Sequence, residues 1–385
     1  MMITRELQKI LKSFKQLYPI IGITGPRQSG KTTLAEHTFP DLPYVSLENL
    51  DTRSRAIADP RGFLNAYQNG AIFDEIQKTP DLLSYLQEIV DKKKEPGRYI
   101  ITGSQNFVLS HQISQTLPGR IGMTTLLPLS ISELNTLPSH QSVIERIFYG
   151  GYPAIYQRHI QPTQFYPSYI QTYIERDVRE FKNIENLHTF QNFLKLCAGR
   201  IGQTINLTSL AQDCGISHTT ARAWLSVLEA SYIIFFVPPF YKNFSKRVIK
   251  MPKLYFYDTG LACSLLTLEH QEQIDTHYLK GALYENLVVL ELLKMRLNQA
   301  LPTNLYFWRD HTGHEIDLIA EWGGTIKAIE IKYTETFSLN HLSGLSYFRQ
   351  LEPETESYLV YNGKEKGMTN QSMLVPFSDL SIIQR

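Results

Sequence analysis

Residues 25–32 read Gly25, Pro26, Arg27, Gln28, Ser29, Gly30, Lys31, Thr32 and fit the pattern G-x-x-x-x-G-K-[ST] at every fixed position. A triphosphate tail needs several N–H donors aimed at one spot. A backbone bends round it only where side chains would not collide, so Gly25 and Gly30 stand at the bends. Lys31 is placed to reach the β- and γ-phosphates. The Thr32 hydroxyl takes a position on Mg2+, and with Thr33 it opens a helix whose dipole favours the anion. The flanks agree: residues 19–23 form a short apolar run entering the loop, and residues 33–39 carry a helical pattern leaving it. Average residue usage gives such a match by accident in roughly one chain of this length in a hundred. Nucleotide binding is therefore the reading on which the rest is built.

Strand and helix signals then alternate, as a doubly wound parallel α/β sheet requires. Residues 44–47 read as a second strand and 63–68 as helix, and residues 71–75 form an apolar strand ending in Asp74 and Glu75. A strand end in solvent can look the same. Placed some forty to fifty residues after a phosphate loop, however, the first acid belongs near Mg2+ and the second where it polarises the attacking water. Residues 99–105 give another buried strand ending at the same sheet edge, where Ser104 or Gln105 senses the γ-phosphate, orients water, or simply forms a polar turn. Arg120 follows Pro118 and Gly119. It is either a partner-supplied contact to a neighbouring subunit's γ-phosphate, which implies a homo-oligomer, or a surface arginine.

A chain of 385 residues exceeds one ordinary core and implies two or three domains. With 38 Lys+Arg against 37 Asp+Glu, any nucleic-acid surface is a local patch. Cys197, Cys214 and Cys263 are far apart with no C-x-x-C pair, which argues for a reducing compartment and against zinc. The apolar run 232–237 is too short for a membrane span. Leu7, Ile10, Leu11, Phe14 and Leu17 fall at helical spacing among lysines, an amphipathic helix and not a signal peptide. The expectation is a soluble, cytoplasmic protein.

The sequence resembles a prokaryotic family of AAA-type ATPases that end in a C-terminal domain of unknown function. The resemblance is carried by residues 25–32, Asp74 to Lys78, Thr102 to Ser104, Gly119 and Arg120, Pro128 to Ser130 with Glu133, and Gly150 to Pro153. It continues through Tyr173 to Asp177 and Tyr255 to Leu261. It implies ATP as ligand with Mg2+, ATP hydrolysis, and a P-loop NTPase core over residues 1–135. Residues 136–186, aromatic and helical, then resemble the lid that follows an AAA core, with Arg176 and Arg179 as candidate phosphate sensors or helix-surface charges.

Residues 187–262 read as a winged-helix-like unit: a helix from Leu207 with Thr208 as its cap, a turn at Gly215, and a second helix from Ser217 or His218. The runs 232–237 and 253–257 are the expected wing strands. Lys242, Lys246, Arg247, Lys250 and Lys253, with Tyr241 and Phe244 interleaved, form a basic patch suited to salt-sensitive DNA contact. The alternative is a winged helix used for packing or protein contact.

Residues 263–385 complete the division. Asp317 and, across a glycine turn at Gly323 and Gly324, Glu330 and Lys332 stand on expected neighbouring strands, with Glu285 on an earlier helix. This arrangement resembles the PD-(D/E)xK nuclease superfamily, in which acids hold Mg2+ and the lysine positions water. It implies a restriction-endonuclease-like α/β domain with a second metal set, Glu285, Asp317 and Glu330. Ile316 stands where that superfamily often has proline. An ordinary hairpin with a cross-strand Glu–Lys pair reads the same way.

Overall fold

The computed structural model describes residues 3–93, 95–104, 116–138, 141–174, 186–240 and 251–384. Gln105, Arg176, Arg179, Tyr241, Lys242, Phe244, Lys246, Arg247 and Lys250 lie outside the described residues.

The first sheet comprises β1 (Ile20–Thr24), β2 (Tyr44–Ser46), β3 (Ala71–Asp74), β4 (Tyr99–Gly103) and β5 (Ile121–Thr125). Its order is β2-β3-β4-β1-β5, parallel throughout. β1, β3 and β4 are buried at every position, which is why they read as unbroken apolar runs and not as alternating ones. Ile21, Ile23, Ile72 and Ile100 pack under Leu7, Leu11, Leu34 and Phe39 on one face. Ile20, Phe73, Tyr99 and Ile101 pack under Phe63, Leu82 and Leu86 on the other. The N-terminal helix, Gln8–Phe14, ends before Leu17, which is 65% exposed; the apolar spacing runs one turn further than the helix.

Past Pro128 the chain turns helical. Val143–Tyr149, Pro153–Gln157 and Pro162–Tyr169 are followed by Leu187–Ala198, Leu207–Cys214 and His218–Ala230. The helix pair around Gly215 forms as expected: Gly215 closes the first helix in the left-handed region at φ 68, and the Ser217 side chain caps the second by accepting from Thr220 N. The first helix is capped by Asn206, not Thr208. Asn206 Oδ1 accepts from Ser209 N at 3.0 Å, because Leu207 is itself helical and the cap must precede it. Trp224 fixes this unit, with Phe190 and Phe193 meeting its ring edge-on at 5.3 and 5.2 Å. An antiparallel pair follows, β6 (Ile234–Val237) and β7 (Lys253–Phe256).

The second large sheet holds β8 (Leu305–Arg309), β9 (Glu315–Trp322), β10 (Thr325–Lys332), β11 (Glu356–Tyr361), β12 (Gly367–Thr369) and β13 (Ser372–Pro376). They lie in the order β12-β13-β11-β10-β9-β8. β10, β11 and β13 run parallel while β8, β9 and β10 run antiparallel. Gly323 and Gly324, at φ 62 and 83, make the two-residue turn between β9 and β10 that a right-twisted hairpin favours. Helix Lys280–Leu297 covers one face and helix Ser343–Leu351 the other. The first is buried over most of its circumference, because one core runs without a break from Leu127 and Ile147 through Trp224 and Leu287 to Val375. Among the described residues, no helix is long and apolar enough to cross a membrane.

Candidate nucleotide site and C-terminal charged cluster

β1 ends at Thr24, and the chain leaves the sheet through Gly25 at φ 144. A Cβ there would lie 2.1 Å from the Leu126 carbonyl oxygen, so the loop's first bend accepts only glycine. Gln28 and Gly30 are also left-handed, at φ 60 and 93, and Gly30 caps helix Lys31–Thr38. Backbone N–H groups turned inward by alternating handedness form an anion-binding concavity. Lys31 Nζ reaches back to the carbonyls of Gly25 and Pro26 at 3.0 and 2.8 Å. Arg27 faces Glu48 at 3.5 Å.

The two acids sit where the loop needs them. Thr32 Oγ1 donates to Asp74 Oδ1 at 3.0 Å, so the hydroxyl and carboxylate expected on one Mg2+ already converge. Both are hard oxygen donors, which fits that ion. Thr102 Oγ1 donates to the same Asp74 oxygen, and Tyr44 OH donates to Oδ2 at 2.8 Å. Burial and the Asp74 carboxylate together push the Tyr44 phenol up.

Glu75 leaves the strand in the left-handed region at φ 57. Its carboxylate accepts from Ser104 Oγ at 2.9 and 2.7 Å and from Gln77 Nε2. Burial pushes this carboxyl up, but Lys31, the Ser104 hydroxyl, Arg27 and Gln77 outweigh it and hold it below the usual range. Thr102 and Ser104 come between because β4 lies between β1 and β3 in the sheet. Arg120 sits elsewhere in its own chain. Its backbone oxygen accepts from Ile20 N, at the opposite end of β1 from the loop, roughly 13 Å away at about 3.3 Å per residue. Its guanidinium grips Asp91 through Nε at 2.6 Å and a terminal nitrogen at 3.0 Å.

Several contacts were not legible in the motif. Arg5, 7% exposed, donates to the Ser29 and Leu127 carbonyls at 2.7 and 2.6 Å and pairs with Glu133 at 3.0 Å. It ties the loop to the segment after β5. Two tyrosines from beyond the sheet also arrive. Tyr169 OH donates to the Arg27 carbonyl at 3.4 Å, and Tyr232 OH donates to Thr24 Oγ1 at 2.9 Å.

The C-terminal acids do meet. Asp317 Oδ2 accepts from Ile331 N at 2.9 Å and faces Lys332 Nζ at 3.3 Å, and Lys332 is 2.6 Å from Glu330. Glu285 accepts from Tyr255 OH and from Lys253 Nζ at 3.2 Å, which also meets Glu315 at 2.7 Å. Two expectations change. Lys253 is only 3% exposed and committed to two acids, so it does not belong to a surface patch. Among the described residues, no group of three His, Cys, Asp or Glu is arranged to hold a metal ion; lysine ammonium groups lie among Glu285, Asp317 and Glu330 instead. Burial and the neighbouring Asp317 push the Glu330 carboxyl up against the pull of Lys332. Burial likewise pushes Glu285 up, against Lys253. The three cysteines are free thiols.

Three family models match the chain: an AAA domain over residues 17–135, a domain of unknown function (DUF8612) over 140–272, and a domain of unknown function (DUF4143) over 280–380. The uncharacterized protein Rv2008c of Mycobacterium tuberculosis is 30% identical over 327 residues, covering 84% of this chain and 72% of the relative. The chain belongs to this prokaryotic AAA-type ATPase family. A more distant relative of this chain, the uncharacterized protein MJ1544 of Methanocaldococcus jannaschii, is 23% identical over 363 residues, covering 85% of this chain and 76% of the relative. Among solved structures, the chain is similar to the Walker-type ATPase paby2304 of Pyrococcus abyssi, with a TM-score of 0.46 and 15% identity over 69% of this chain and 96% of that one.

Proposed function

We propose that this AAA-type protein binds ATP with Mg2+ at residues 25–33 and hydrolyses it. The observation that carries the reading is the meeting of Thr32 and Asp74 at 3.0 Å, beside a loop that only glycine can begin. Lys31 and the inward N–H groups of the loop neutralise and orient the phosphates. Thr32 and Asp74 hold Mg2+, which when bound supplies positive charge against the oxygens that gain charge in the transition state. Glu75, kept ionised by Lys31 and Ser104, accepts a hydrogen bond from the attacking water and aligns it. Gln105 and, from a neighbouring subunit, Arg120 complete the proposed site. The released energy drives the modules over residues 136–186, 187–262 and 263–385, a division we propose on the sequence grounds above.

The test is a phosphate-release assay with MgATP. Wild-type protein turns over; Lys31→Ala and EDTA-treated wild type fall to background. Turnover that survives Lys31→Ala removes the proposal. DNA contact through Lys242, Lys246, Arg247 and Lys250 predicts a salt-dependent affinity for duplex DNA that weakens when Lys246 and Arg247 are neutralised together.

A further inference from the structure

Tyr232 lies more than two hundred residues after the phosphate loop, yet its hydroxyl lies 2.9 Å from Thr24 Oγ1, on the last residue before Gly25. The contact is enclosed: Tyr232 is 2% exposed. Thr24 in turn donates to the Thr124 carbonyl at 3.1 Å and meets Thr125 Oγ1 at 3.2 Å, so Tyr232 joins a hydroxyl cluster spanning the ends of β1 and β5.

Two features set this tyrosine apart from an ordinary core residue. Its backbone is left-handed, at φ 56, a conformation bulky L-residues rarely hold unless the surroundings over-determine it. Its ring is clamped edge-on by Tyr257, with centroids 5.5 Å apart, and Tyr257 N is tied to the Ile233 carbonyl. A second hydroxyl approaches the loop independently: Tyr169 OH meets the Arg27 carbonyl at 3.4 Å and accepts from Tyr152 OH at 2.9 Å. The base of the loop and its outer arm are therefore both touched by residues outside the parallel sheet.

We infer that Tyr232 is a positioning residue for nucleotide binding, holding the Thr24–Gly25 junction through its hydroxyl, with Tyr169 as a second support on Arg27. The phosphate loop of this chain is shaped in part by two stretches beyond the ATPase core, 136–186 through Tyr169 and 187–262 through Tyr232. By linkage, a nucleotide that tightens the loop also tightens those stretches against it. The inference rests on the ATP-binding reading above and deepens it.

The experiment measures the equilibrium affinity of full-length protein for MgATP, together with KM and kcat, for wild type, Tyr232→Phe, Thr24→Val and the double variant. Tyr232→Phe keeps the ring and removes one hydrogen bond, so Kd and KM rise about fivefold, the scale of a single net hydrogen bond. The value of kcat changes less, and the melting temperature without nucleotide falls only slightly, because the lost bond is one of many in a large core. Thr24→Val, which also removes the Thr124 and Thr125 contacts, raises Kd at least as far, and adding Tyr232→Phe to it changes nothing further, because the Tyr232 contact is already lost. Tyr169→Phe gives an independent rise and serves should Thr24→Val fail to fold. Wild-type Kd and KM in Tyr232→Phe overturn the inference, as do strictly additive effects of Tyr232→Phe and Thr24→Val, while leaving ATP binding intact. No binding of MgATP by the wild type overturns the underlying reading and the inference with it.

Discussion

Asp74 and Glu75 are neighbours in sequence with opposite surroundings, and their environments divide the labour. Asp74 collects hydroxyls from Thr32, Tyr44 and Thr102, partners that fix the orientation of the carboxylate proposed above to hold Mg2+. Glu75 collects Ser104 and the field of Lys31 and Arg27. Glu75→Gln retains the volume and removes the charge; we expect MgATP affinity within about threefold of wild type and turnover about 100- to 1000-fold slower, read as kcat by phosphate release. The C-terminal carboxyls supply a pH prediction of opposite sign. Burial and Asp317 raise the Glu330 pKa in the folded chain above its ordinary 4.5, so above 4.5 the folded state holds a proton that the unfolded one releases. The stability this group contributes is present at the acid end and is lost as pH rises through its folded pKa, by at most about 1.4 kcal/mol per pH unit. Urea unfolding from pH 5 to 9 checks this, and Glu330→Gln flattens the decline. The motif residues from Gly25 to Thr32 were legible because one ligand dictates their types. Arg5, Tyr44 and Tyr232 were not, since each reaches the site by a fold contact that leaves no local trace.

Among the elements, helix Lys280–Leu297 does more than cover a sheet. Glu291 Oε2 accepts from Ile131 N at 2.7 Å, and Lys294 Nζ meets both Glu291 and the Leu129 carbonyl, at 2.7 and 2.8 Å. The Glu291 and Lys294 side chains are 2% and 4% exposed. Lys294→Met leaves Glu291 buried without its cation, and the expected loss is about 3–5 kcal/mol, measured by urea unfolding. Lys294→Met combined with Glu291→Leu recovers part of that loss. The strands of the first sheet and the β9–β10 hairpin were readable, because buried parallel strands and a double-glycine turn each have one pattern. The cap at Asn206 was misread for a local reason: Asn206 and Thr208 are both capping types, and only the helical Leu207 decides between them. The place of Lys253 was misread for a distant one. Seen beside Lys250 it looks like part of a basic run, and nothing near it in sequence announces that Glu285 and Glu315 will come to meet it.

Across the whole molecule, the core from Leu127 to Val375 is separate from the two clusters that flank the parallel sheet, and Tyr169 and Tyr232 reach across to the loop; on the inference above, nucleotide binding then involves more than the sheet. MgATP at about a hundred times its Kd stabilises the folded state by roughly 2.7 kcal/mol. We expect amide exchange to slow not only in residues 24–33 but also around Tyr169 and Tyr232, beyond the matched AAA domain. Protection confined to the parallel sheet would show that the later modules do not feel the ligand. The Lys253 bridge bears on how such a protein can be handled. A fragment expressed from residue 263 onward keeps Glu285, Glu315, Asp317 and Glu330 but has lost the ammonium that sits between two of them. Its mutual repulsion would then be mistaken for an intrinsic frailty of the C-terminal piece, when the instability was introduced by the scissors.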